Sequence, residues 1–497
     1  MQLLGIDAGT SSIKAAVLDG QTGQCLASAM HPPEEMRVMV SQPGWAEQHP
    51  ADWWVHAQAA IWQVLQAPGV DPQAIGAIGL AYQMHGLVLV DAAHAVIRPA
   101  IIWSDSRAVP YGEAAFEALG RARCLTHLLN SPGNFTAAKL AWVLAHEPAH
   151  AQRIHKLMLP GDYLALQLTG EIGSSYSGLS EGIMWDFQAH APAHFLLDHF
   201  GIDRAWLPEA KGCFAERGRL RAEVAQALGL PVGIPVTYRA GDQPNNAFAL
   251  GAIHPGEVAA TAGTSGVVYG VSDQVAYDAQ SRVNPFAHVN HAPGQTRLGL
   301  LLCINGTGIL NRWLRGILGN LSYEEMNALA AATPVGAEGV RVLPFGNGAE
   351  RMLGNRDLGA QVIGLDLNRH GRGHLIRAAQ EGIAFAFRYG LDLMRGMGVR
   401  AERLRVGEGN LFLSPVFREA VATAGRVEIE RYATDGAQGA ARGAGVGVGH
   451  FANLAEALTG LTQGNSIVPQ ATQQDAYEAA YQAWAAELAA QLEMSPS

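Results

Sequence analysis

Four residues, Ala8-Gly9-Thr10-Ser11, recur about half a chain later as Ala262-Gly263-Thr264-Ser265. Each copy lies between two β-rich runs. Leu3-Leu4-Gly5-Ile6 enters the first, and Ile13-Lys14-Ala15-Ala16-Val17-Leu18 leaves it. Val258-Ala259-Ala260-Thr261 enters the second, and Val267-Val268-Tyr269-Gly270 leaves it. Strand, small-residue turn, strand is a β-hairpin pattern. Two such hairpins so far apart predict two similar domains facing each other. Helical stripes fall between the strand runs. Asp52 is placed to cap a helix carrying Trp54, Ala57, Ile61 and Leu65. Residues 374–397 carry Ile376, Ala379, Ile383, Phe387, Leu391 and Met394 on one face, and Tyr477, Tyr481, Trp484, Leu488 and Leu492 mark a last amphipathic helix. Such stripes face a core. Mixed strands and helices predict an α/β fold. The hinge is expected near residues 251–256, dividing the chain into 1–250 and 251–497.

Composition removes several functions. The 497 residues are 48% hydrophobic, which excludes disorder as the main state. A net charge of −10, with lysine only at positions 14, 139, 156 and 211, disfavours general binding to nucleic acid or an anionic membrane. Phosphate must then be held by backbone amides, a helix end or a metal. The cysteines Cys25, Cys124, Cys213 and Cys303 form no C-x-x-C pair, so neither a zinc ribbon nor a redox dithiol is indicated. Free thiols point to a reducing cytoplasm. The longest apolar stretch, residues 74–90, is interrupted by Gln83, His85 and three glycines, so no membrane-spanning helix is expected.

Two enzyme spellings are decoys. His146-Glu147-Pro148-Ala149-His150 reads H-E-x-x-H, but Pro148 breaks the turn that would bring both histidines to one face. Gly178-Leu179-Ser180-Glu181-Gly182 reads G-x-S-x-G without a buried strand before it. Neither a Walker A loop nor G-x-G-x-x-G is present.

The two Gly-Thr-Ser turns carry more. Glycine lets backbone N–H groups approach an anion, and Thr and Ser add hydroxyl donors. Singly, each reads as an ordinary hairpin turn. As a facing pair beside Asp7 they look like two clamps on one polyphosphate, with Asp7 holding Mg²⁺ directly or through water. Gln83-Met84-His85-Gly86 follows an apolar strand, and Trp103-Ser104-Asp105-Ser106-Arg107 follows another. Polar groups at strand ends form ligand sites in α/β proteins. Gln83, His85 and Asp105 suit several hydroxyls and Trp103 offers an apolar wall, a set fitting a sugar or polyol. Asp242, in Gly241-Asp242-Gln243, serves equally well as a helix cap or as a base toward an attacking hydroxyl.

Together these motifs resemble the FGGY carbohydrate kinases, and within them the xylulokinase branch. The resemblance runs nearly the whole chain in order. It includes residues 5–14, Trp45-Ala46-Glu47-Gln48 with Asp52-Trp53-Trp54, and the two strand-end motifs. It continues through Gly241-Asp242 and residues 261–266, then residues 360–365 with His374-Leu375 and Glu381-Gly382. It implies two actin-like (ribonuclease H-like) α/β domains around a central cleft. ATP would lie mostly on the second domain and sugar on the first. It implies Asp242 as base, and Gln83, Met84, His85, Trp103, Asp105 and Gln243 at the sugar. Gly9, Thr10, Ser11, Lys14, Gly263, Thr264, Ser265, Gly407, Gly409 and Asn410 would hold ATP, with Asp7 at Mg²⁺. The implied reaction moves the γ-phosphoryl of MgATP to a ketose hydroxyl, D-xylulose giving the 5-phosphate. Ribulose, fuculose, gluconate or a longer ketose stays open as acceptor. So does an actin-like ATPase or sugar sensor without transfer, and a homodimer is possible. Two departures stand out. The glycine turn expected near adenosine reads Gly407-Glu408-Gly409-Asn410, so Glu408 either alters nucleotide contacts or points to solvent. The run after the base, Gln243-Pro244-Asn245-Asn246, differs from the shorter, smaller run usual in xylulokinases.

Overall fold

The computed structural model describes residues 1–494. The first hairpin is β1 (Gln2–Ala8) and β2 (Ile13–Asp19), extended by β3 (Cys25–His31), β4 (Ile75–Tyr82) and β5 (Val236–Gly241). These strands form one sheet in the order β5-β4-β1-β2-β3. The second hairpin is β6 (Val258–Ala262) and β7 (Gly266–Ser272). Its sheet adds β8 (Asn284–Ala287), β9 (Leu298–Ile304), β10 (Arg403–Gly407) and β11 (Glu428–Tyr432), in the order β11-β10-β6-β7-β9-β8. Apart from the edge strand β8, the two orders are the same. In both, the hairpin strands and the third strand run antiparallel, while the last two strands join in parallel. The internal repeat therefore extends from four residues to two whole sheets. This is the mixed α/β architecture of two ribonuclease H-like units.

Burial explains the strands. Leu3, Leu4 and Ile6 in β1 are each at most 1% exposed, so both faces of the sheet are covered. Helix α1 (Pro50–Leu65) covers one face with Trp53, Ala57, Ala60, Ile61 and Val64. Each large apolar side chain so buried contributes about 1.5–3 kcal/mol. Its start differs from expectation. Pro50 opens the helix with its preset φ, and Asp52 sits inside the first turn rather than at the cap.

The other face is covered from a distant part of the chain. Helix α2 (Asp242–Ala249) follows β5, yet packs also against β6 and β7 of the second sheet. The long helix α3 (Arg372–Gly396) and α4 (Pro415–Gly425) pack on one another. Helix α5 (Gly436–Gly447) follows β11, yet lies across β1, β2, β4 and β5. Its sequence, rich in Gly and Ala, permits a very close approach. A Cβ on Gly5 would stand 1.9 Å from the Ala437 carbonyl oxygen, and one on Gly79 would stand 2.0 Å from that of Ala440. The Thr237 hydroxyl donates to the Ala444 carbonyl at 2.9 Å, tying α5 to β5. Both α2 and α5 begin at the groove between the sheets, so two helix N-termini point their positive ends there.

Candidate active site

The two hairpins reach that groove by the strand ends beside their turns. Gly9 N–H donates to Ser12 at 3.1 Å and closes the first turn. In the second, Gly308 N–H donates to Gly263 at 2.9 Å and Ile309 N–H to Thr264 at 3.1 Å. A cavity of about 330 Å³ lies between the two hairpins, with Asp7 and Lys14 on one wall and Thr261, Ala262, Gly407 and Asn410 on the other. A second cavity of about 300 Å³ continues beyond Gly263 and Thr264, lined by Asn311, Arg312, Tyr323 and Leu413. Asn410 lines both and holds a left-handed φ of 55°, which Asn tolerates better than most residues. Gly407 and Gly409 flank Glu408, whose exposed carboxylate lies 3.9 Å from Arg431. Ser11 and Thr264 are exposed, leaving their hydroxyls free at the turns.

Asp7 pairs in register with Lys14 across the first hairpin. Its Oδ1 is buried without a partner among the described residues. Burial pushes its carboxyl up to about 6, Lys14 opposes this, and Asp435 adds to it. A Cβ on Gly436 would stand 2.2 Å from Asp7 Oδ2, so glycine at the start of α5 leaves the carboxylate its room. An orphaned carboxylate oxygen, a second carboxylate nearby and an adjoining cavity fit a hydrated divalent cation.

Asp242 is the first residue of α2, and Gly241 before it provides no side-chain cap. The cap reading is thereby set aside. Burial pushes the Asp242 carboxyl up to about 7, helped by the charge on Asp7 and opposed by Gln243, whose Nε2 donates to Asp242 Oδ2 at 3.1 Å. Against the same corner lies Met84, whose Cγ would be 2.5 Å from a Cβ on Gly241. His85 holds a left-handed φ of 63°. Its Nδ1 faces the Glu181 carbonyl at 2.9 Å. A carbonyl only accepts, so Nδ1 carries the proton and Nε2 is left as an acceptor. Burial, with Lys139 beside it, lowers His85 to about 3, so the ring is neutral at ordinary pH.

Trp103 is half exposed and its Nε1 donates to Thr10 Oγ1 at 2.9 Å. Thr10 in turn donates to Gln83 Oε1 at 3.1 Å, and Gln83 Nε2 to Gln48 Oε1 at 3.1 Å. The first phosphate-type turn and the aromatic wall are thus one hydrogen-bonded unit. Gln83 is 3% exposed, with both ends of its amide engaged inside the protein. In this structure it supports Thr10.

Asp105 is likewise engaged inside the protein. It is fully buried, and its Oδ2 accepts from Ala46 N–H at 2.6 Å and from Arg107 Nη2 at 2.7 Å. Arg107 is stacked 3.7 Å from the Trp45 ring centroid and 4.8 Å from that of Trp142. Asp105 therefore braces the loop that carries Trp103. Breaking a buried pair by removing one partner costs about 3–5 kcal/mol. Asp105→Ala is expected to lower Tm by several degrees while KM for the nucleotide stays unchanged. Thermal scans beside steady-state kinetics check this, and an unchanged Tm would contradict it.

Two residues escaped the sequence reading. Lys139 is fully buried, and its Nζ donates to the His85 carbonyl at 2.9 Å, holding the left-handed residue in place. Glu181 is also fully buried, beside His85 and Gly241. From the second half, β8 roofs this region. Phe286 lies 5.3 Å from the His85 ring, Asn130 Nδ2 donates to Pro285 at 2.7 Å, and Ser177 Oγ to Ala287 at 2.7 Å. The helix from Thr136 ends at His146, before Pro148, and Ser180 donates to Ser177 at 2.8 Å within its own short helix. Among the described residues, no helix is long and apolar enough to cross a membrane.

Comparison with known proteins gives a consistent picture. Residues 2–249 match the family model described as the FGGY family of carbohydrate kinases, N-terminal domain, and residues 258–448 match its C-terminal domain. A xylulose kinase from Escherichia coli (strain K12) is 31% identical over 480 residues, covering 96% of each chain. Among solved structures, one described as a xyloylose kinase from Brucella ovis superposes with a TM-score of 0.90 at 30% identity, covering 100% of both chains. A xylulose kinase from Rhodospirillum rubrum gives 0.88 at 28% identity, covering 99% of both.

Proposed function

The chain belongs to the FGGY family of carbohydrate kinases, and from that premise we propose that it transfers the γ-phosphoryl of MgATP to the primary hydroxyl of D-xylulose. The observation that supports the reading is the groove itself: its cavity runs from Asp7 and Lys14 to Thr261 and Ala262, and the buried carboxylate Asp242 opens α2, the helix that lines it with Asn246 and Ala249.

The acceptor lies against Trp103 with Met84 beneath it, and Gln243 beside the base reaches its hydroxyls. The neutral His85 accepts a hydroxyl hydrogen at Nε2. Asp242 takes the proton of the attacking hydroxyl as the new O–P bond forms, and the O–P bond to ADP breaks in line with it. Backbone N–H groups at Thr10 and Ser11, in the turn that Gly9 closes, and at Gly263, Thr264 and Ser265 hold the phosphates, assisted by Lys14. Gly407, Gly409 and Asn410 border the nucleoside. Asp7 would hold Mg²⁺, directly or through water, and the ion supplies positive charge that this lysine-poor chain lacks. The division at residues 250 and 251 belongs to this proposal: the acceptor side chains come from the first part under the roof of β8, and the 300 Å³ cavity is lined wholly by the second. Four free cysteines agree with a cytoplasmic setting.

The test is a coupled ADP-release screen over pentuloses, hexuloses, polyols and gluconate. Turnover is expected to rise above the ATP-only blank with D-xylulose more than with any other acceptor. A higher kcat/KM for gluconate or a hexulose would replace the substrate while leaving the reaction. No response to any sugar would remove the kinase reading.

A further inference from the structure

Glu181 is a buried carboxyl with no role in the mechanism above. It closes the short helix Tyr176–Glu181, is 0% exposed, and neither carboxyl oxygen has a hydrogen-bond partner among the described residues. Its Oε2 would stand 2.4 Å from a Cβ on Gly241, so it lies directly behind the residue that precedes Asp242. Its own carbonyl fixes the His85 tautomer. One residue thus touches both the corner that aims the base and the imidazole that faces the acceptor.

The groups around it decide its charge. From β4 come the buried Tyr82 hydroxyl and, just beyond the strand end, the His85 backbone N–H, two nearby donors that favour the ionised form. Asp162 lies on a neighbouring helix, and its carboxylate is already matched by Arg239 at 2.7 Å. Asp242 opens α2, while Cys213 and Tyr269 are more distant neutral groups. Among the described residues, Glu181 makes no ion pair, the nearby Asp162 taking Arg239 instead. An ionised carboxylate buried without a counter-charge is costly, and here burial outweighs the two nearby donors. Burial, then the charges of Asp242 and Asp162, accordingly push its carboxyl well above the ordinary range.

We propose that Glu181 is a positioning residue for the phosphoryl-transfer base: its uncharged carboxyl packs behind the Gly241-Asp242 corner, while its backbone carbonyl fixes the His85 ring. It leaves Asp242 free of a second negative charge at its back. The inference rests on Asp242 being the base, but Glu181's protonation can be read without any turnover.

The experiment compares wild type, Glu181→Gln and Glu181→Ala. Gln keeps the shape and the neutral state, so kcat is expected within about threefold of wild type. Ala removes the support, and misplacement on the ångström scale costs up to about 10²-fold in kcat. The sign of the pH effect is fixed. A carboxyl protonated in the fold but ionised when unfolded loses stability as pH rises above its unfolded value near 4. The Tm of wild type is therefore expected to fall relative to Glu181→Gln as pH rises from about 5 to 8, the relative unfolding constant changing about tenfold per pH unit. A Tm gap independent of pH, or a Gln variant as damaged as Ala, overturns the proposal. If instead the gap widens as expected but Asp242→Asn keeps full activity, Glu181 is neutral as argued and the assignment of the base is what fails.

Discussion

Asp242→Asn is expected to lower kcat by about 10²–10⁴-fold while acceptor binding survives, because the amide keeps the shape but cannot take the proton. The same residue sets the pH dependence. With its carboxyl at about 7, the ionised fraction falls as pH drops through neutrality, so wild-type kcat/KM should decline on the acid side of about pH 7. The variant should lose that limb along with its rate. Stability should move the other way. The folded state binds the Asp242 proton more tightly than the unfolded chain, so between its unfolded value near 4 and about 7 rising pH destabilises the fold. At pH 8 the Asn variant is thus expected to melt higher than wild type. A near-normal kcat would take Asp242 out of the mechanism; a lower Tm would place it in a supporting role.

The second large effect is expected at the seam between β4 and α5. Gly79 meets the backbone of α5, not a movable side chain, so Gly79→Val cannot be absorbed by a rotamer change. Overpacking of cores typically costs about 1–3 kcal/mol and sometimes more, and here the upper end is expected because a helix must shift. Helix α5 also carries Asp435 and Gly436 to the wall of Asp7. Its displacement should therefore lower activity in the fraction that still folds. Circular dichroism melts and kcat of the soluble fraction measure both. A wild-type Tm for the Gly79→Val variant would mean that α5 does not lie where the structure has it.

These cases mark what the sequence made legible. The repeated Ala-Gly-Thr-Ser turn predicted paired hairpins, and both sheets are built on them. Motif order pointed to the family before any coordinates. Crossing of α5 to the first sheet was not legible, because its contact face is Gly and Ala on both sides, with no apolar stripe to announce burial. Asp105 reads as a free strand-end carboxylate until Ala46, far away in the chain, is seen to donate to it. Glu181 was hidden inside a spelling weighed only for its serine. A lone glutamate between small residues carries no local signal of burial; its surroundings come from β4, β5 and α2.

The most direct measurement of the central claim is the product itself. ATP and D-xylulose are incubated with the enzyme and the mixture is followed by ³¹P NMR with proton coupling. The account predicts one new phosphomonoester signal, coupled to the methylene protons of the terminal carbon, growing in step with ADP and absent with Asp242→Asn. Inorganic phosphate as the sole new signal, formed equally with and without the sugar, would contradict it.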